Sequence, residues 1–415
     1  MIEPDTATAM RPQPLGLFDG PAGLLLVPPG AGVDALLEAL ATGTVPDGTE
    51  AWPGASRVVA LVLADDVETA LAVLADLGDD RVAAIDRLVL APTPDHLVAA
   101  RAAAGDDPEL RTVVAAAAYA SGLSDEPPAV DGIDGEFAVL ALTVRAARAL
   151  EFTDPRGALR SLEEALPHAR DVGPVLTARV LGSIAEHLHH HRGANDDVLA
   201  LYDDAIRLLA GTDHRELQAG FHLERGLVAH QLADVQRHRL TEAVRSYQSA
   251  LIVLDEMHHA DRFALANMNV AVAILSMPMT QASDQVRLGV AVQSLRAALR
   301  VYRPDTHPWE WSSSQMNLAN ALQYLPSTHR EENLQESVEL YEEVLAHRSR
   351  RSDPVGVARV LANQANALAH LAVWDHAIAK YTDARDLFAQ AGDLDAVAVV
   401  DRQLDQIDQT RGDRT

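Results

Sequence analysis

Histidine is the side chain whose placement suggests chemistry first. Ten of the 17 histidines fall between positions 187 and 259, among them His187, His189, His190, His191, His258 and His259. His187 and His191 stand four residues apart, so on a helix they share a face and can chelate a divalent metal. The alternative is a polar helix end whose imidazoles help to satisfy terminal carbonyls. Pro29-Gly30-Ala31-Gly32 follows an apolar run, as phosphate-cradling loops do. It lacks the Lys and Ser/Thr of a P-loop and the third Gly of a dinucleotide fingerprint, so a turn into a helix accounts for it. Asp65-Asp66 could hold a metal or a phosphoryl group, yet capping of a helix that opens near Val67 explains the same pair. Trp309 and Trp311, just after Pro308, could anchor a partner; packing against the turn 303–307 is the preferred reading. No nucleophile elbow, zincin helix or kinase signature occurs, so the chain reads as non-enzymatic, without a cofactor.

Composition narrows the remaining classes. A formal charge of −26 disfavours nucleic acid as a direct ligand, because phosphate binding needs a basic footprint. The same charge disfavours docking on anionic lipid. Hydrophobic residues make up 48% of the chain but aromatics only 4%, so a core must be built from Ala, Leu and Val. Such packing suits closely apposed helices. Lys380 is the only lysine, a compositional habit that gives arginine abundance no functional weight. Cysteine is absent, which removes disulfides, thiolate chemistry and cysteine-based zinc or iron–sulfur sites. With neither a leader nor a run of about 20 apolar residues, the expected setting is the cytoplasm of a bacterium.

The elements that would position any such site follow from a recurring pattern. It reads small residue, three variable residues, Tyr or Leu, two variable residues, small residue, aliphatic. Its copies begin at Ala158, Val198, Ala243, Ala291, Ser337 and Ala377, separated by 40, 45, 48, 46 and 40 residues. In the third copy Ala243, Tyr247, Ala250 and Leu251 lie at offsets 0, 4, 7 and 8, one face of a helix. A period of this size marks a solenoid, in which each unit buries its apolar face only against its neighbours.

Pro and Gly punctuation divides residues 136–391 into six helix pairs. These are 136–151 with 156–170, 174–191 with 195–210, 214–232 with 238–257, 261–277 with 284–302, 308–325 with 331–348, and 354–371 with 374–390. A capping helix over 392–408 and a tail over 409–415 follow. Residues 1–14 read as a disordered tail and 121–135, with Pro127-Pro128 and three glycines, as a linker. Between them, residues 15–120 read as a small α/β domain. Its strands are Leu24-Leu25-Leu26-Val27, 57–63 and 88–90; its helices are 33–40, 67–77, 95–103 and one opening at Asp107-Pro108-Glu109.

Two first helices carry Asn317-Leu318-Ala319-Asn320-Ala321-Leu322 and Asn363-Gln364-Ala365-Asn366-Ala367-Leu368, with Met268-Asn269-Val270-Ala271 a weaker version. Together with the second-helix pattern, these segments resemble the tetratricopeptide repeat. From Asn363 to Ala377 is 14 residues, as in that family's unit of about 34. From Asn317 to Ser337 is 20 and from Asn269 to Ala291 is 22, so the middle turns are longer.

The resemblance implies a mainly α, tetratricopeptide-like α-solenoid whose first helices line a concave groove for a protein or peptide partner. The family's groove asparagines map onto Asn320 and Asn366, with Asn269, Asn317 and Asn363 beside them. Arg359 stands where a carboxylate clamp would need a cation. An amide offers donor and acceptor to an extended backbone; alternatively these residues satisfy groups between helices. The expected function is a non-catalytic scaffold, adaptor or assembly factor. Two alternatives remain: a metalloenzyme-maturation accessory using His187 and His191, and a ligand-sensing protein acting through residues 15–120.

Overall fold

Short polar punctuation between runs of Ala, Leu and Val favours helices joined by tight turns. The computed structural model describes residues 24–26, 48, 52, 54–77, 80–212, 214–278 and 284–412. Among these every regular element is an α-helix and no strand occurs. No helix among them is long and apolar enough to cross a membrane. Cα packing divides the chain into two units, Met1–Val228 and Ala229–Thr415.

The first unit opens with α1 (Gly54–Leu63), α2 (Val67–Asp76), α3 (Arg81–Leu90), α4 (Pro94–Ala104) and α5 (Pro108–Ala120). This overturns the α/β reading of residues 15–120. The expected strand at 57–63 lies within α1, and that at 88–90 is the last turn of α3. Each run is apolar because its helix is buried on several sides: Val58, Val59 and Ala60 in α1, Val82 to Asp86 and Leu88 in α3. A short apolar run fits a buried helix as well as a buried strand. The third expected strand is not one either, since Leu24, Leu25 and Leu26 form no regular element; Val27, the 29–32 loop, the 33–40 helix and the 1–14 tail lie outside the described residues, whereas 409–412 of the expected C-terminal tail continue the last helix. The Asp80 side chain caps α3 by accepting from the Val82 and Ala83 N–H groups at 2.9 and 3.1 Å.

Asp86 is the unexpected polar residue here. It is fully buried in α3, and its Oδ1 accepts the Leu26 N–H at 2.8 Å. Burial raises its pKa well above the usual carboxylate range, outweighing that hydrogen bond. The surrounding core joins Leu26, Ile85, Leu88, Leu97 and Val113 to Ile133, Phe137 and Leu140. The last two belong to α6 (Gly135–Glu151), the first repeat helix.

Three further helices complete the hairpins of this unit: α7 (Pro155–Val172), α8 (Pro174–Arg192) and α9 (Asp196–Leu208). Each packs on the one before it. Caps follow the sequence signals: Asp154, ahead of Pro155, accepts the Gly157 N–H at 2.9 Å, and Asn195 accepts that of Val198 at 3.0 Å. The boundary between units falls within α10 (Arg215–Leu232).

The second unit continues with α11 (Arg239–Ala250), α12 (Ala260–Leu275), α13 (Asp284–Val301), α14 (Pro308–Tyr324), α15 (Arg330–His347), α16 (Pro354–His370), α17 (Trp374–Ala391) and α18 (Leu394–Gly412). Consecutive helices pack together from α11 onward, and first helix also meets first helix, α12 on α14 and α14 on α16. That double contact is the geometry of stacked hairpins. The recurring pattern lies on the second helices, where Ala243, Tyr247, Ala250, Ala291, Leu295, Ala298, Ser337, Tyr341 and Val344 are all sealed from solvent. Small side chains let the next hairpin approach, and Tyr or Leu fills the space between. The final helix α18 covers α17 through Val400 and Ile407.

Candidate functional site

Two first helices of the second unit each carry a row of polar side chains. On α14, Asn317, Asn320 and Tyr324 lie at offsets 0, 3 and 7; on α16, Arg359, Asn363, Asn366 and His370 lie at offsets 0, 4, 7 and 11. Each set occupies one helix face. Between them runs a hydrogen-bond relay. Asn366 Nδ2 donates to Gln323 Oε1 at 2.9 Å, Gln323 Nε2 donates to the Tyr341 hydroxyl at 2.8 Å, and that hydroxyl donates to Asn320 Oδ1. Asn366 Nδ2 also approaches the Tyr324 hydroxyl at 3.4 Å. The relay ties α14, α15 and α16 together. Burial pushes the Tyr341 phenol above its ordinary range, so it stays a hydroxyl.

The predicted asparagines therefore divide by role. Asn320 spends its oxygen and Asn366 its nitrogen on internal bonds, leaving one end of each amide unused. Asn317 and Asn363, half-buried, make no side-chain hydrogen bond among the described residues. Asn269 is almost sealed within α12, with its Nδ2 lacking a partner. Arg359 is exposed, with no ion pair among the described residues. Tyr324, 63% exposed, adds an aromatic surface beside Asn366. Gln323, Tyr324 and Tyr341 were missed as site residues. Gln323 stands three residues after Asn320, which offers a signal; for Tyr341 the sequence offers only its fifth position in the recurring pattern.

Supporting bonds fix the helix ends around this face. Ser337 Oγ donates to the Ala319 carbonyl at 2.8 Å, and Gln315 Nε2 to Glu343 at 2.6 Å. Arg348 reaches Ser312 Oγ at 2.9 Å and Asp353 at 2.8 Å, while Asp353 caps α16 through the Gly356 N–H. The two tryptophans separate: Trp311 is buried edge-on against His347, with centroids 4.8 Å apart, whereas Trp309 is exposed.

The remaining candidates resolve as follows. His187 and His191 do share a helix face, their ring centroids 4.5 Å apart. His187 is buried, and burial followed by the charge of His191 lowers its pKa. Among the described residues no cluster of three metal-capable side chains occurs, so the pair has no third ligand there. Asp66 caps α2, accepting from the Thr69 N–H at 3.1 Å.

No family model and no curated protein matches this chain. Among solved structures, it is similar to apo RapI at 11% identity, covering 86% of this chain and 96% of that one, with a TM-score of 0.46. A second is PilW, a type IV pilus biogenesis factor, at 15% identity over 63% of this chain and 97% of that one, TM-score 0.40. A third is a signal-transduction ATPase of Pyrococcus horikoshii with a tetratricopeptide-repeat sensor, at 12% identity over 81% and 54%, TM-score 0.41. At these values none bears on what the present chain binds. By motif and packing, the helical hairpins between residues 135 and 391 are tetratricopeptide-like.

Proposed function

We propose that this chain is a non-catalytic protein-interaction scaffold that holds a peptide or protein segment along the first-helix face of α14 and α16. The observation that supports this reading is the set of hydrogen-bonding ends, on Asn317, Asn320, Asn363 and Asn366, that no described residue uses, beside Arg359, which has no ion pair among the described residues, and an exposed Tyr324. Donors and acceptors spaced along two adjacent helices suit an extended backbone, and the guanidinium suits a carboxylate. The test is affinity capture from the native host with the full chain and with Asn317→Ala/Asn363→Ala/Arg359→Ala. Those three side chains take no part in the relay, so the fold is retained. A partner held by the wild type and lost by the variant is the expected result; equal recovery would remove the reading.

One observation favours a second activity, the sensing of a small ligand by the N-terminal helices. A cleft of about 600 Å³ lies between α4, α5 and the 124–133 segment, bordered by Arg101 and Arg111, neither of which has an ion pair among the described residues, and by Asp106, Glu126 and Asp131. Thermal-shift screening of the full chain with zwitterionic and other small polar metabolites, repeated with Arg101→Ala/Arg111→Ala, tests it. No shift, or a shift the variant keeps, counts against it.

A further inference from the structure

The seam pattern places a tyrosine at its fifth position in several hairpins, and two of these face different surroundings. The Tyr341 hydroxyl is fully used, accepting from the Gln323 amide and donating to the Asn320 amide. Tyr202 holds the same position on α9 and is equally buried, at 1% exposure, with its ring 6.2 Å from that of Phe221. Its hydroxyl nonetheless has no hydrogen-bond partner among the described residues. A buried hydroxyl without a partner is costly, so the position calls for a reason.

Tyr202 is one of the residues that line a pocket of about 180 Å³ built from α8, α9 and α10, together with Ser183, Glu186, Phe221 and Glu224 among others. The volume is that of about six waters, room for roughly one amino-acid residue. Gly182 shapes it: a Cβ there would lie 2.2 Å from the Phe221 ring, so only glycine lets that ring form the wall. Arg179 and Glu224 are engaged in the protein's own contacts. Glu186 is exposed at the mouth and has no ion pair among the described residues. What the described residues leave without a partner is the buried Tyr202 hydroxyl, the half-buried Ser183 hydroxyl and the exposed Glu186 carboxylate.

We propose that this pocket receives an amide group from a partner chain, the Tyr202 hydroxyl donating to its oxygen and the Glu186 carboxylate accepting from its N–H. The relay in the second unit already displays the preference, since the groups opposite Tyr341 are carboxamides. A cation would satisfy Glu186 but leave the Tyr202 hydrogen without an acceptor. An anion would face the Glu186 charge. Burial, then the charges of Glu224 and Glu186, push the phenol far up, which keeps it a donor. The site is built from first-unit residues alone and does not rest on the α14–α16 reading.

Saturation-transfer NMR on the full chain tests this, with N-methylacetamide, propionamide, methyl acetate and butylammonium as probes. The amides should receive saturation, with about three- to tenfold weaker binding in Tyr202→Phe, which removes only the hydroxyl, and in Glu186→Ala, which alters an exposed side chain. Preference for N-methylacetamide marks a backbone amide as the natural occupant, and preference for propionamide an Asn or Gln side chain. No amide signal, an amide signal unchanged in both variants, or stronger binding of butylammonium or methyl acetate would overturn the proposal.

Discussion

Asn366 Nδ2 lies 2.9 Å from Gln323 Oε1 and 3.4 Å from the Tyr324 hydroxyl, joining two first helices through polar side chains. The bond makes a pair of hairpins share one polar network centred on the buried Tyr341 hydroxyl. Such a network fixes the spacing of the two helices, and hence of the amides that project from them.

Tyr341→Phe should cost about 1–3 kcal/mol, because Gln323 and Asn320 lose their common partner while remaining buried or half-buried. Tyr202→Phe should cost nothing or raise stability, since its hydroxyl has no partner to lose. Urea unfolding of the two variants measures the contrast. Equal losses at both positions would show that the relay contributes no stability.

Ala250→Leu should destabilise by about 1–3 kcal/mol through overpacking. Ala250 is fully buried at the C-terminal end of α11. A melting curve matching wild type would contradict the seam.

Asp86 carries a pH signature. Its folded pKa is raised from an ordinary 3.8, so the folded chain binds a proton that the unfolded chain releases. Its stabilisation is present below that value and is lost as pH rises towards the folded pKa. Asp86→Asn keeps an acceptor for the Leu26 N–H and removes the titration. Between about pH 5 and about pH 8, the melting temperature of the variant should gain on wild type. A constant difference would mean that the carboxyl titrates normally.

Four histidines act in the other direction. Burial lowers the pKa of His187, His222, His230 and His370 below the ordinary 6.5. The unfolded chain then binds more protons, so their contribution is complete above about pH 6.5 and lost as pH falls through the folded values. The His222→Gln/His230→Gln variant should lose less stability than wild type on acidification to about pH 5. Parallel pH profiles would count against this.

The repeat region was legible because its signal is redundant. Period-3.6 spacing, proline at the start of α7, α8, α14 and α16, and small residues at the seams of the second helices together point to the twelve helices from Gly135 to Ala391, although α11 ends at Ala250 rather than near 257. The N-terminal helices were misread because a run such as Arg57-Val58-Val59-Ala60-Leu61 has no polar face to reveal its period. The amide face was half legible. Asn320 and Asn366 could be picked out, but their bonds to Gln323 and Tyr341 depend on which helices meet across 43 residues or fewer. Tyr202 could not be told apart from Tyr341, since an unfilled valence leaves no trace in residue type.

The core that joins Leu88, Leu97 and Val113 to Phe137 and Leu140 gives the N-terminal helices a structural duty whatever else they bind. A stack of hairpins has two open ends, and an end left bare would adhere to any similar surface it met. A polypeptide begun at Glu136 would expose Phe137, Ala138 and Leu140 to water and should self-associate.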